Sequence, residues 1–359
     1  MRNWFSKSGR GVRLSKQSRP ARFFYWIIAI LLAAALLYFS LRGIAWAQVW
    51  LTLSRAKANY IVLWILLSSG SLFLRALRWR ILLRSAAPVK VSIAFWATAA
   101  GYLGNNYLPA RAGEVIRSVM VSFHSGLSKT FVLTTAFLER LCDAVALVLI
   151  SSIVLLTLAS PPGWFARAAR PFAILGLCGV VAIAITPRLE SLWAAIISRV
   201  PVPEAIREKL LRVIQQILTG MRAFHSGRRL LAFILFTAII WYVDIVGIMI
   251  GAYALGLHLP VSVAFLLIAG LGLGSALPST PGYVGIYQFV AVSVLDPFGF
   301  HKADAIALIL LFQALQYLVI TFWGLLAFTQ SRRMSLKGAF NLSSAAVSAA
   351  APESQQTPG

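Results

Sequence analysis

The segment GNNYLPARAGE (residues 104–114) interrupts an apolar run that begins at Val91. Pro109 removes a backbone donor and Gly113 permits unusual dihedral angles, so the segment predicts a break in a helix. A second segment, GSALPSTPG (residues 274–282), repeats the pattern Leu-Pro-x-x-x-Gly in another apolar run. Unwound backbone at membrane depth is tolerable only where it is buried in protein or lines a wet cavity. The residues assigned to the two breaks are Pro109, Gly113, Pro278, Pro281, Gly282 and Gly285.

The composition indicates that lipid is the solvent for most of this chain. Of its 359 residues, 59% are hydrophobic and 12% are charged, and the mean hydropathy is +0.81. Soluble domains carry roughly 25% charged residues. We therefore expect an all-α, polytopic integral membrane bundle.

Six apolar runs are long enough to be predicted as full spans. They cover residues 23–40, 58–74, 131–159, 171–186, 230–255 and 303–328. The first run also resembles a signal peptide, but its length favours a retained span. Each of the interrupted runs near 91–126 and 261–295 must then enter and leave the membrane on the same side. The first enters from the cytoplasmic side and the second from the outer side. That arrangement predicts an inverted repeat of two re-entrant elements, the alternative being that two Leu-Pro pairs occur by chance.

Positive charge predicts the orientation and the boundaries of the membrane domain. The formal net charge is +23, and cytoplasmic loops of membrane proteins are rich in Lys and Arg. We expect a basic cytoplasmic tail (1–22), a membrane domain (23–330) with a cytoplasmic amphipathic segment (187–229), and a disordered tail (331–359), in a cell membrane with both termini in the cytoplasm. The basic residues alternate with apolar spans and form no single stripe, so nucleic acid is not an expected partner.

Ionisable residues near the first break are the main candidates for a functional site. Glu139, Arg140 and Asp143 lie inside a predicted span, where ionisable groups are costly unless they are paired. The alternative is a purely structural ion network. Anionic lipid headgroups are the expected ligands, and the candidate substrate-binding residues are Asn105, Asn106, Arg111, Glu114, Arg117, Glu139, Arg140 and Asp143.

Other basic and acidic residues are assigned weaker roles. Arg75, Arg78 and Arg80 end the second span and are interpreted chiefly as cytoplasmic positive charge, with headgroup contact as the alternative. Asp244 is a lone acid in a later span and a possible partner for one of the site arginines.

The sequence offers no motif for a metal, nucleotide or cofactor. Its two cysteines lie in apolar stretches, and its four histidines are far apart, with no pair at ligand spacing. It contains no P-loop pattern. We therefore assign no catalytic residue, metal or cofactor.

Three motifs together resemble the lysylphosphatidylglycerol synthase transmembrane-region family, also called the flippase-like domain family. They are Asn105-x₃-Pro109-x-Arg111-x-Gly113-Glu114-x₂-Arg117, then Glu139-Arg140-x₂-Asp143, then Leu277-Pro278-x₂-Pro281-Gly282-x₂-Gly285. The resemblance covers about residues 20–330. It implies a membrane domain that moves lipids between leaflets, and a stand-alone member without the aminoacyl-transferase domain of the bifunctional synthases.

The leading expectation is a lipid translocase that binds a phospholipid, glycolipid or polyprenyl-lipid headgroup in an intramembrane polar cavity. The alternative is a membrane-embedded enzyme, or a subunit of one, acting on a lipid phosphate or polyprenyl-linked sugar. A partner that modifies lipids and is recruited by residues 187–229 is a third possibility.

Overall fold

The computed structural model describes residues 31, 34–108, 112–158, 163–185, 204–221, 224, 226–275 and 281–350. Within these ranges the regular structure is helical throughout, which confirms the predicted all-α class. The α-helices are α1 (Ala34–Leu41), α2 (Trp46–Ser54), α3 (Ala58–Leu83), α4 (Val91–Tyr107), α5 (Gly113–Ser125), α6 (Lys129–Thr157), α7 (Gly163–Ile185), α8 (Glu204–Met221), α9 (Gly227–Ala254), α10 (Val261–Gly274), α11 (Ile286–Leu295) and α12 (Lys302–Ala350).

Four of the described helices are long and apolar enough to cross a membrane, namely α3, α6, α9 and the part of α12 up to Ser331. They match four of the six predicted spans. The predicted span at 23–40 is described only in part, and its helix α1 meets α2 at 86°, so the pair counts as one further span at most. The apolar part of α7 covers only Arg170–Val181. The described residues thus form four or five spans of a multi-pass membrane protein.

The same order of helices occurs twice along the chain. In α3–α6 a long helix is followed by a shorter helix, a break, a short helix and a second long helix, and α9–α12 repeat that order. Gly227 begins α9 169 residues after Ala58 begins α3, and Lys302 begins α12 173 residues after Lys129 begins α6. The packing repeats too, because α3 packs against α9, while α4 packs against α12 and α10 against α6.

Glycines bring α4 and α5 into very close contact at the first break. α4 ends at Tyr107 and α5 begins at Gly113. A Cβ atom on Gly113 would lie 1.8 Å from the carbonyl oxygen of Gly101. The helices can approach this closely only because neither residue has a side chain. Pro109 and Arg111, which the sequence assigned to this break and site, lie outside the described residues.

The second break is held by two glutamine side chains. α10 ends at Gly274, and α11 begins at Ile286 after a short 3₁₀ turn over Pro281–Tyr283. Gly282 and Gly285 have φ values of 72° and 90°, which side chains disfavour. Gln313 donates to the Gly282 carbonyl (3.0 Å), and the Gln288 side chain accepts from the Gly285 N–H (2.8 Å). These bonds satisfy backbone groups that the break would otherwise leave unpaired, while Pro278 lies outside the described residues.

A tight turn between α5 and α6 sets the position of the acidic residues. α5 ends at Ser125 and is capped by Gly126 (φ 72°), and the Ser128 hydroxyl accepts from the Phe131 N–H at the start of α6 (3.2 Å). The serine cap fixes where α6 begins. Because α6 then packs back along α5, its carboxylates face the arginines of α3 and α5.

Two predicted flanking segments can be compared with the structure in part. In the amphipathic segment 187–229, residues 204–221 form α8, which packs against α6 with Leu218 and Met221 buried. α12 continues beyond residue 331 to Ala350, and the disorder of the tail 331–359 stays a prediction. This stretch is rich in alanine, which has the highest helix propensity.

Candidate functional site

A polar cavity lies between the two halves of the bundle. Its walls come from α3, α4, α5, α6, α9, α10, α11 and α12 together with the turn at Gly282, and its volume is about 230 Å³. The side chains that line it are mostly apolar, as is usual for ligand sites. The ionisable groups on its walls are Arg75, Glu114, Arg140, Asp143 and Asp244, together with tyrosines.

Arg78 is the centre of the charged network that backs this cavity. Its side chain is 0% exposed. Nη1 and Nη2 donate to the two carboxylate oxygens of Asp143 (2.5 and 2.8 Å), and Nη2 also donates to Glu139 (2.9 Å). This two-pronged pairing is the geometry for which a guanidinium is suited and an ammonium is not. Arg78 of α3 therefore pairs with two carboxylates of the neighbouring helix α6.

Arg117 forms a second buried layer behind the cavity. Nη1 lies 2.9 Å from Oε2 of Glu139, and Nη2 lies 2.5 Å from Oε2 of Glu114. The guanidinium also lies over the Trp79 ring, 4.5 Å from its centroid. Gly101 makes room for this side chain, because a Cβ atom there would lie 3.0 Å from the Arg117 Cβ atom. These contacts hold Arg117 between α4 and α6.

Arg140 is the arginine whose ion pairs are longest. Its Nε lies 3.3 Å from Glu114 and its Nη1 lies 3.8 Å from Asp143, while Nη2 donates to the Tyr102 hydroxyl (2.9 Å). Its side chain is 26% exposed, against 0% for Arg78 and 2% for Arg117. A guanidinium with long ion pairs on a cavity wall can turn towards an entering anion at little cost.

An ion pair between Arg75 and Asp244 joins the two halves across the cavity. The Ser71 hydroxyl also donates to Asp244 (2.6 Å). Arg75 is on α3 and Asp244 on α9, and each lies 17 residues after the first residue of its helix. Among the residues that the structure describes, the ion pairs of 4.0 Å or less join Arg75, Arg78, Arg117 and Arg140 to Glu114, Glu139, Asp143 and Asp244. Four arginines meet four carboxylates, so the network has no formal net charge.

A second group of cavity-lining side chains is polar but uncharged. Gln313 and Gln316 of α12 line it, and the Ser68 hydroxyl donates to Gln316 (3.0 Å). Tyr283 and Tyr287 also face the cavity, with ring centroids 5.0 Å apart and planes 13° from parallel. The cavity lining therefore combines ionic groups with amides, hydroxyls and aromatic rings.

The structure brings most of the predicted site residues together. Five of them line the cavity: Asn105, Asn106, Glu114, Arg140 and Asp143. Arg117 and Glu139 lie in the buried layer behind it, where they pair with each other. The prediction for Arg111 falls outside the described residues. Among these residues, Arg140 contacts Glu114.

Sequence reasoning missed the roles of three residues, Arg75, Arg78 and Asp244. Arg75 and Arg78 were interpreted as charge at a helix end, but both face the membrane domain's interior ion network. The signal that points to them is the surplus of carboxylates: Glu139 and Asp143 share a helix face with only Arg140 nearby in sequence. Asp244 was assigned to the site arginines, whereas its partner is Arg75.

In the described part of the chain, no group of three or more His, Cys, Asp or Glu residues is arranged to hold a metal ion.

Comparison with known proteins places these features in a family. The lysylphosphatidylglycerol synthase TM region matches residues 26–324. A glycosyltransferase, AglD of Haloferax volcanii, is 24% identical over 265 residues, which are 65% of this chain and 41% of that protein. The match thus spans less than half of that relative's length. No solved structure matches significantly. The chain is a multi-pass membrane protein that belongs to the lysylphosphatidylglycerol synthase TM region family.

Proposed function

We propose that this protein moves a lipid between the two leaflets of a cell membrane, with the headgroup passing through the polar cavity. The observation that carries the proposal is a cavity inside a helical bundle that is lined by both arginines and carboxylates. Ionisable groups at membrane depth mark substrate or ion pathways more often than not. We also propose that both termini lie in the cytoplasm, because the basic segments at both ends follow the positive-inside pattern.

Arg140 and Arg75 are the groups that would meet the headgroup phosphate. Both line the cavity, whereas Arg78 and Arg117 are enclosed by their carboxylate partners. Arg111, which follows the first break in sequence, belongs to the same proposal. In this scheme Glu114 and Asp143 balance the arginines while the cavity is empty.

The repeated order of helices supports an inverted repeat as the device that alternates access. The first long helices of the two halves, α3 and α9, pack against each other. Residues next to both breaks line the cavity. Transporters built from inverted repeats expose one site to either side by rocking the repeats against each other. The Arg75–Asp244 pair bridges the two repeats and would re-form in each cycle.

A membrane-embedded enzyme is the second candidate. The similarity to a protein named glycosyltransferase favours it, and so do the carboxylates of Glu114 and Asp143 on the cavity wall. Against it, both carboxylates are paired with arginines, which makes them weak general bases.

Liposomes that contain the purified full-length chain provide the test. Phosphatidylglycerol and phosphatidylinositol, fluorescently labelled on the acyl chain, would be exposed to a quencher that cannot cross the membrane. We expect label from the inner leaflet to become reachable, and we expect Arg140→Gln to slow this about tenfold through loss of a charged hydrogen bond. Arg84→Gln is the matched control, because Arg84 is exposed at the end of α3.

The same samples separate transport from chemistry. Mass spectrometry of the recovered lipids should show unaltered headgroups if the protein is a translocase. Quenching that matches protein-free liposomes for both probes would refute transport, and a chemically changed headgroup would establish the enzyme instead.

A further inference from the structure

The arginines in and behind the cavity already form ion pairs with carboxylates of the protein. Each of Arg75, Arg78, Arg117 and Arg140 is paired with at least one acid. Of the ionisable groups on the cavity surface, two are arginines and three are carboxylates. A ligand with several negative charges would therefore find no surplus of positive charge on these walls.

Several neutral hydrogen-bonding groups of the cavity lack a partner among the described residues. Asn106 is 7% exposed, lines the cavity and forms no side-chain hydrogen bond with a described residue. The same holds for Nε2 of Gln316 among the described residues. Asn105 Oδ1 and Trp241 Nε1 are buried atoms of cavity residues, and neither has a hydrogen-bond partner in the described part of the chain. A buried polar group without a partner costs stability, so such groups indicate a ligand that pairs with them.

The unpaired groups include both donors and acceptors. Trp241 Nε1 and Gln316 Nε2 can only donate, Asn105 Oδ1 can only accept, and the Asn106 amide does both. A phosphate diester offers acceptors alone, and an ammonium offers donors alone. A hydroxyl group donates and accepts, so a set of hydroxyls can satisfy all four residues.

We propose that the cavity recognises the hydroxyl groups of an uncharged polyol in the lipid headgroup, which is joined to the lipid by a single phosphate diester. This inference rests on the proposed function and specifies its substrate class. The stacked rings of Tyr283 and Tyr287 add a flat apolar surface to the lining of the same cavity. The C–H face of a polyol ring fits against such a surface, while its hydroxyls reach the amides.

A binding competition tests the inference separately from transport. The purified full-length chain in detergent micelles would bind a fluorescent acyl-labelled phosphatidylinositol, displaced by short-chain phosphatidylinositol or by short-chain phosphatidylethanol. Both competitors carry one diester charge, but only the first carries a ring of hydroxyls. We expect phosphatidylinositol to compete at least about tenfold more strongly, since two or three added hydrogen bonds account for that ratio.

The variants identify the groups that carry the preference. Asn106→Leu should reduce phosphatidylinositol binding to the level of phosphatidylethanol and leave phosphatidylethanol unchanged. The ligand-free variant should unfold at the same temperature as the native chain or higher, because an unpaired buried amide is removed. Gln316→Leu should act in the same direction. Gln48→Leu is the control, as Gln48 is exposed on α2.

Several results would overturn hydroxyl recognition: equal competition by the two lipids, stronger competition by phosphatidylethanolamine, or an undiminished preference in Asn106→Leu. Equal binding together with lipid movement in liposomes would leave the proposed transport standing. Selective binding without lipid movement would overturn transport and leave the recognition of hydroxyls in place.

Discussion

Replacing Arg78 with methionine is expected to destabilise the protein by about 3–5 kcal/mol, the cost of breaking a buried ion pair by removing one partner. Arg78 is fully buried and compensates both Asp143 and Glu139. Glu139 would keep Arg117 as a partner, 2.9 Å away. Asp143 would keep only Arg140, at 3.8 Å. Most of the loss should therefore come from Asp143.

The assay is thermal unfolding of the purified chain in detergent. The quantity measured is the fraction of protein that remains monodisperse after heating. A loss of this size corresponds to a fall of roughly 10 °C in the midpoint. Arg84→Met, on the exposed end of the same helix, should shift the midpoint little. In the double variant with Asp143→Asn, about 2 kcal/mol should be recovered, since the uncompensated charge is gone. If Arg78→Met and Arg84→Met unfold at the same temperature, the assignment of Arg78 as the central cation is wrong.

Three further predictions concern the breaks and the bridge between the halves. Gly113→Ala should sharply reduce the yield of folded protein, because the added Cβ atom would clash with the Gly101 carbonyl oxygen. Gly70→Ala is the control, because a Cβ atom at Gly70 meets open space. Equal yields of the two variants in a size-exclusion profile would contradict this prediction. Gly282→Ala should lower the thermal midpoint through its φ of 72° and a clash with the Tyr317 ring, and an unchanged midpoint would argue against the observed turn. Arg75→Met should cost less than half as much as Arg78→Met, since its pair with Asp244 is partly exposed; a larger loss in the same unfolding assay would contradict that ranking.

The breaks could be predicted from sequence because their cause is local. The patterns at residues 104–114 and 274–282 act on their own backbone, and the described helices end at Tyr107 and Gly274 as these patterns require. The charged residues of α6 could be predicted as candidates for a similar reason. A carboxylate within an apolar run is visible without knowledge of its neighbours.

The partners of those carboxylates could not be predicted in the same way. Arg78 lies at the end of an apolar run, where the sequence pattern of a buried cation and of a cytoplasmic positive charge is the same. Only the packing of α3 against α6 distinguishes them. Asp244 and Arg75 are 169 residues apart, and no local pattern relates them.

The placement of the buried charges has a consequence for how the chain is made. Arg78, Arg117, Arg140 and their three acids all lie between residues 78 and 143. A nascent chain that has emerged as far as Thr157 thus carries a complete set of mutually neutralising groups before α9 is synthesised. Arg75 alone must wait for a partner, because Asp244 follows it by 169 residues. The first half can therefore insert into the bilayer with Arg78, Arg117 and Arg140 already paired with carboxylates. The ion pair of Arg75 forms when α9 inserts and brings Asp244.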